Sequence, residues 1–413
     1  MSFKDLQLNK PLLRAIAEAG YDNPTLVQER TIPLVLNQKD VITSAQTGTG
    51  KTAAFALPIL QQLYDRQEPS KKGRQIKALI VSPTRELATQ INDNFETYAK
   101  YTNLKSTVIF GGTSIEPQIE TLKKGVDILI ATPGRLLDLH KQDIINLDYI
   151  ETLVLDEADL MLDMGFIDDV KKIERLCPKE KQILLFSATM PFKVEQLAKT
   201  ILKSPHRIEV TPTSSAAKNV SQVLYFVPKQ NKIELCLHLL RNTISGNVLI
   251  FRRTKYGVDK LEQTLLKNGY KVDTIHGDKA QDLRHEALTK FKKGEVTILI
   301  ATDVAARGID INELDNVVNF DLPNIPETYV HRIGRTGRAS NFGTSYSFCS
   351  ADEKVYVKNI QQLISVQIPV EEDHPYPLDP KAVPMVHKSN KTGSKHRKGR
   401  KGEGSKKKKK RWY

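Results

Sequence analysis

Short runs of Val, Ile and Leu recur along the chain, separated by longer stretches in which apolar positions return every three or four residues. In the first half the runs fall near Val41–Thr43, Ala78–Ser82, Thr107–Phe110, Asp127–Ala131, Thr152–Leu155 and Ile183–Phe186. In the second half they fall near Gln222–Phe226, Asn247–Phe251, Val272–Ile275, Thr297–Ala301, Asn316–Asn319 and Ser345–Phe348. Consecutive apolar residues predict strands covered on both faces, and helical stretches between them predict parallel pairing. Both halves share this cadence. The pattern therefore predicts an α/β protein of two tandem domains, each a parallel sheet flanked by helices. Ligands of such sheets collect at the carboxyl ends of strands, so the polar residues just after each run carry the interest.

The pattern lapses twice. Residues 204–221, SPHRIEVTPTSSAAKNVS, lack apolar periodicity and are rich in Ser, Thr and Pro, as a linker would be. After about residue 371 a third regime begins, and from Lys388 onward there is almost nothing to bury. The expected division is a first domain over 1–207, a linker over 208–221, a second domain over 222–371, and a disordered Lys-rich tail over 372–413. A length of 413 residues agrees with more than one domain, and 39% hydrophobic residues suffice for the cores.

Charge changes the picture only at the end. Residues 381–413 hold 14 Lys or Arg and one acid, Glu403, so +13 of the chain's +14 lies there and +1 remains for residues 1–380. Such a tail suits nucleic acid. Cys177, Cys236 and Cys349 stand far apart without CxxC spacing and read as reduced core thiols. The N-terminus has no apolar core of signal-peptide length, and no stretch approaches the ~18 apolar residues of a membrane span. The expectation is a soluble cytoplasmic protein without membrane contact.

Two strings suggest chemistry. Ala45-Gln46-Thr47-Gly48-Thr49-Gly50-Lys51-Thr52 follows the run at Val41 and precedes the helical pattern Ala53–Leu63. Alone it is a Gly/Thr-rich turn. Between a strand and a helix, its glycines let backbone N–H groups curl around phosphates at a favourable helix dipole. Lys51 would then bridge the β- and γ-phosphates, and the Thr52 hydroxyl would bind Mg²⁺. Ala45 departs from the generic motif, which begins with glycine. Asp156 and Glu157 follow Leu153-Val154-Leu155. An acidic tetrapeptide alone is a solvated turn; after a buried strand, Asp156 can reach Mg²⁺ while Glu157 orients and deprotonates a water.

Taken with PTREL at 83–87, TPGR at 132–135, Ser187-Ala188-Thr189 and HRIGRTGR at 331–338, these strings resemble the DEAD-box RNA helicases of superfamily 2. The resemblance covers about residues 1–365, with every expected motif in order, and leans toward the bacterial RhlE-type branch. It implies RecA-like domains, with ATP and Mg²⁺ as cofactors. Phe3 and Gly20–Gln28 match the Q motif, where Gln28 would read the adenine edge and Tyr21 would pack on the base. A carboxamide offers the donor and acceptor that adenine requires. Arg335 and Arg338 match arginine fingers, and Asp310 matches a ribose contact. Ser187 and Thr189 would bond Asp159 and link it to His331; capping of the following helix is the alternative.

For RNA, the resemblance nominates Arg85, Gly111, Gly112, Thr132 and Arg135 in the first domain. In the second it nominates Arg252, Gly277, Gln281, Arg284, Thr302 and Asp303. None is aromatic, so backbone contacts with little sequence preference are expected. The implied activity is ATP-dependent unwinding of short RNA duplexes or remodelling of RNA–protein complexes. An ATP-gated RNA clamp or assembly scaffold with little unwinding is the alternative. The resemblance also points to RNA-degradation or ribosome-assembly proteins as partners and to a monomeric core.

Overall fold

The computed structural model describes residues 2–45, 48–66, 74–210, 220–306, 314–337, 343–379 and 381–382. The apolar runs are strands. In the first lobe these are β1 Val41–Ala45, β2 Ala78–Val81, β3 Ser106–Ile109, β4 Ile128–Ala131, β5 Thr152–Leu155, β6 Gln182–Ser187 and β7 His206–Val210. They form a seven-stranded sheet in the order β3-β4-β2-β5-β6-β1-β7. The second lobe has β8 Val220–Phe226, β9 Val248–Arg252, β10 Val272–Ile275, β11 Ile298–Thr302, β12 Asn316–Asn319 and β13 Gly343–Cys349. Their order is β10-β11-β9-β12-β13-β8, and every pairing in both sheets is parallel.

Burial on both faces explains the unbroken apolar runs. Val154 belongs to the core on one face of the first sheet, while Leu153 and Leu155 belong to the core on the other. Each such side chain contributes about 1.5–3 kcal/mol by leaving water. Where the run stops, the strand stops, and Asp156 emerges at the carboxyl edge with the chain already fixed behind it. The three cysteines are buried free thiols, as expected, and burial pushes each up to about 12.

Three expected boundaries need correction. Residues 220–221, assigned to the linker, begin β8, and residues 208–210, also assigned to it, complete β7, which pairs with β1 from Val41↔His206 to Ala45↔Val210. As an edge strand it buries Ile208 and little else, so no apolar run announces it. Residues 372–379, assigned to a disordered tail, are held against the outer edge of β8. The Glu371 N–H donates to the Leu224 carbonyl at 2.9 Å, and the Leu378 N–H to the Phe226 carbonyl at 3.0 Å. His374 meets the Tyr225 ring edge-on, with centroids 5.5 Å apart. The Lys-rich stretch from residue 383 and the remaining linker, 211–219, lie outside the described residues.

Candidate active site and nucleic-acid groove

The carboxyl edge of the first sheet brings together the residues nominated for a phosphate pocket. Gly48 and Gly50 take left-handed φ values of 83° and 86°, and the helix Lys51–Asp65 starts immediately after. A Cβ on Gly50 would run into the Gln28 carboxamide, so this glycine is required by space as well as by φ. Gln28 lies in the first turn of the helix Leu26–Leu36 and is 3% exposed. Its Oε1 accepts from the Thr25 N–H at 2.9 Å, and its Nε2 donates to the Gly50 carbonyl at 3.2 Å. The Thr25 hydroxyl donates to the Thr49 carbonyl at 2.8 Å. One helix cap thus braces the loop. Tyr21 is exposed and accepts from the Tyr98 hydroxyl at 3.3 Å. Phe3 is packed in the core instead of facing a ligand.

The Lys51 Nζ donates to Glu157 Oε1 at 2.7 Å, with both side chains nearly out of water. Burial alone would lower the Lys51 pKa, but the charges of Glu157, Asp156 and Asp159 outweigh it and hold the ammonium above its ordinary value. Asp156 is pushed the other way: burial and the neighbouring Glu157 charge raise its carboxyl well above the usual range. Its Oδ1 is buried without a hydrogen-bond partner. Glu157 adopts φ 52°, a left-handed conformation uncommon for a non-glycine residue, as the chain turns into the helix Ala158–Asp163.

Asp159 is held as expected. Its backbone N–H donates to Ser187 Oγ at 3.1 Å, and its Oδ2 accepts from the Thr189 N–H at 3.0 Å and the Thr189 hydroxyl at 2.8 Å. The Ser187 hydroxyl donates to the Thr189 carbonyl at 2.6 Å. The capping alternative is not realised: the helix Phe192–Ile201 begins after Pro191 with no side-chain cap. His331 lies near the end of the helix Pro326–Ile333 in the second lobe, and Arg335 follows that helix, 5% exposed.

Six of the nominated RNA residues line one groove of about 610 Å³ between the lobes: Arg85, Gly111, Thr132, Arg135, Gly277 and Arg284. Arg135 Nη2 donates to the Thr113 carbonyl at 3.0 Å, while the Arg85 guanidinium lies where a Cβ on Gly112 would be. Burial lowers the Arg85 pKa; the Glu86 charge opposes that, and the Arg284 and Arg135 charges add to it, so three cations and one carboxylate meet here. Arg284 Nη2 reaches across the lobes to Glu86 Oε1 at 3.0 Å. Glu86 was not singled out from the sequence, although it lies inside PTREL.

The other second-lobe residues are held behind the groove. Arg252 Nε pairs with Asp321 Oδ2 at 3.1 Å, and its guanidinium lies 4.0 Å from the Phe320 ring centroid. Both Asp303 oxygens are taken by Arg332, at 2.6 and 2.8 Å. Arg332 also donates to Asn319 Oδ1 at 3.2 Å and to the Asp321 carbonyl at 2.7 Å. Sequence reasoning missed this buried arginine, whose partners lie 29, 13 and 11 positions away. Thr302 ends β11, half-buried. Gln46, Thr47, Asp310 and Arg338 lie outside the described residues, as does the Gln281 side chain.

Known proteins agree with this architecture. The profile of the DEAD/DEAH box helicase domain matches residues 25–197, and that of the helicase conserved C-terminal domain matches residues 231–340. The ATP-dependent RNA helicase CshA of Limosilactobacillus reuteri is 42% identical over 368 residues, covering 89% of this chain and 73% of its own length. Among solved structures, S. cerevisiae Dbp5 bound to RNA and ADP BeF3 superposes with TM-score 0.79 at 32% identity, covering 90% of this chain and 95% of its own. A DEAD box protein from the hyperthermophile Methanococcus jannaschii is 40% identical over 90% of this chain and 99% of its own, yet its TM-score is 0.51. Higher identity with poorer global overlap is what two similar lobes give when set at different relative positions. None of these matches specifies the RhlE-type branch. On its two matched domains, its motifs and its two parallel-sheet lobes, the chain belongs to the DEAD-box family of ATP-dependent RNA helicases.

Proposed function

We propose that this chain binds ATP and single-stranded RNA between its lobes, and that closing and reopening the lobes separates short duplexes or displaces proteins bound to RNA. The observation that carries this reading is the buried Lys51–Glu157 pair, 2.7 Å apart at the mouth of the phosphate loop, beside an unpartnered Asp156 oxygen. Gln28 reads the adenine edge and Tyr21 packs on the base. Lys51 leaves Glu157 for the β- and γ-phosphates, and Glu157, so released, orients and deprotonates the attacking water. Thr52 and Asp156 fit Mg²⁺, since an orphaned buried carboxylate oxygen with a raised pKa is the group a cation would relieve. When bound there, the ion would offset phosphate charge.

Arg335 and Arg338 approach from the second lobe and stabilise the charge that develops on the transferred phosphoryl group, an effect of roughly 10³–10⁵ in rate. Asp310 holds the ribose. The Asp159–Ser187–Thr189 network, with His331, couples this chemistry to lobe position. Arg85, Arg135 and Thr132 bind RNA phosphates, while Gly111, Gly112 and Gly277 allow close backbone approach; Arg252, Gln281, Arg284 and the Thr302–Asp303 backbone extend the contact onto the second lobe. Backbone contact carries little sequence preference. The basic stretch from residue 381 adds phosphate contacts of the same kind, and the site of action is the cytoplasm. Glu157→Gln tests the assignment. ATP and RNA should still bind, RNA-stimulated turnover should fall by about 10² or more, and separation of a short duplex should stop. Turnover within a few-fold of wild type would refute the role of Glu157.

A further inference from the structure

One exposed aromatic side chain follows a lysine whose ion-pair partner adjoins the groove, and none of the roles above uses it. Tyr256 is 76% exposed and is the second residue of the helix Lys255–Lys267, which begins just beyond the end of β9 at Arg252. The backbone around it is fixed on both sides. Thr254 caps the helix, its hydroxyl accepting from the Gly257 N–H at 3.1 Å. Lys255 pairs with Asp278, the neighbour of groove-lining Gly277. Gly257 is pressed against the Arg252 guanidinium so closely that a Cβ there would lie 2.7 Å from Nη2. Tyr256 therefore projects from a turn tied on one side to the groove and on the other to Arg252. Its ring is in water, with no hydrogen bond or ring contact among the described residues.

We propose that Tyr256 is a stacking platform for one base of the strand where it leaves the groove onto the second lobe. This rests on the reading of the groove as the RNA site. A rigid ring with two rotatable torsions loses little entropy on stacking, and every base offers a π-face, so the contact is strong without being sequence-specific. Such a contact complements the phosphate-directed arginines, which hold the backbone and leave the bases free. The ring lies between the recognisable strings instead of within one, so motif reading passes over it.

The test uses the full chain with a non-hydrolysable ATP analogue and a labelled single-stranded RNA, alongside strands carrying one abasic site at each successive position. Tyr256→Ala should weaken binding to the intact strand about 5- to 150-fold, equivalent to roughly 1–3 kcal/mol, and Tyr256→Phe should keep wild-type affinity. One abasic position should weaken wild-type binding by a similar factor and leave the Tyr256→Ala affinity unchanged. Equal affinities of wild type and Tyr256→Ala overturn the platform, as does a loss in Tyr256→Ala that is the same at every abasic position. Arg135→Ala, measured in parallel, separates the two readings. Undiminished affinity there removes the groove and the platform together, whereas a loss there with none in Tyr256→Ala removes the platform alone.

Discussion

The phosphate pocket and the groove handle charge in opposite ways. In the pocket Lys51 and Asp159 have their answers within the same lobe, Lys51 against Glu157 and Asp159 against the Thr189 and Ser187 hydrogen-bonding groups, and Asp156 is the exception. In the groove Arg85, Arg135 and Arg284 crowd one another, and the ion pair of Glu86 with Arg284 joins the two lobes. Most of such a pocket is set within one lobe. A groove with surplus positive charge is favourable only when an anion fills it, and it exists only while the lobes meet. On the function proposed above, nucleotide recognition is mainly local to the first lobe, while RNA recognition and catalysis depend on how the two lobes are placed.

The largest effect should come from the group that must cross between lobes. Arg335→Ala is expected to lower RNA-saturated kcat by 10³ or more, a loss of about 4 kcal/mol in barrier, while equilibrium ATP affinity changes less than tenfold. A kcat loss under tenfold would mean that the first lobe hydrolyses ATP alone, and the contrast would fail. Next in size is the buried arginine behind the groove. Arg332→Met leaves Asp303 and Asn319 without their partner, and breaking a buried pair costs about 3–5 kcal/mol. For a lobe of this size that corresponds to a fall of roughly 6–20 °C in its melting transition, which calorimetry would resolve. Adding Asp303→Asn should restore part of the loss. The smallest effect concerns the bridge itself. Glu86→Gln and Arg284→Gln should each raise the RNA concentration for half-maximal ATPase by about three- to tenfold, near 1 kcal/mol, with the double variant no worse than either. Tighter RNA binding by Glu86→Gln would show instead that Arg284 serves RNA alone.

What the sequence makes legible divides along physical lines. Buried parallel strands advertise themselves because both faces are apolar, and each of the twelve expected runs coincides with a strand. The phosphate loop and Asp156-Glu157 are legible because the chemistry needs adjacent residues at one strand end. β7 was hidden because an edge strand buries Ile208 among exposed polar neighbours, His206, Arg207 and Glu209. The segment ending at Leu378 was hidden because backbone hydrogen bonds to β8, not an apolar run, hold it in place. Arg332 and Glu86 were hidden for a third reason: an ion pair between distant residues has no local signature, and only the fold decides that Arg332 of HRIGRTGR is buried among partners.

The short contact between Lys51 and Glu157 would give the proposed substrate a rival built into the protein itself. A nucleotide must win the ammonium from a carboxylate already seated beside it, so measured affinity is a difference between two attractive states. If the terminal phosphate of ATP takes Lys51, as proposed, its loss on hydrolysis would return the ammonium to the carboxylate. The same glutamate would then start each cycle's chemistry and clear the site for the next.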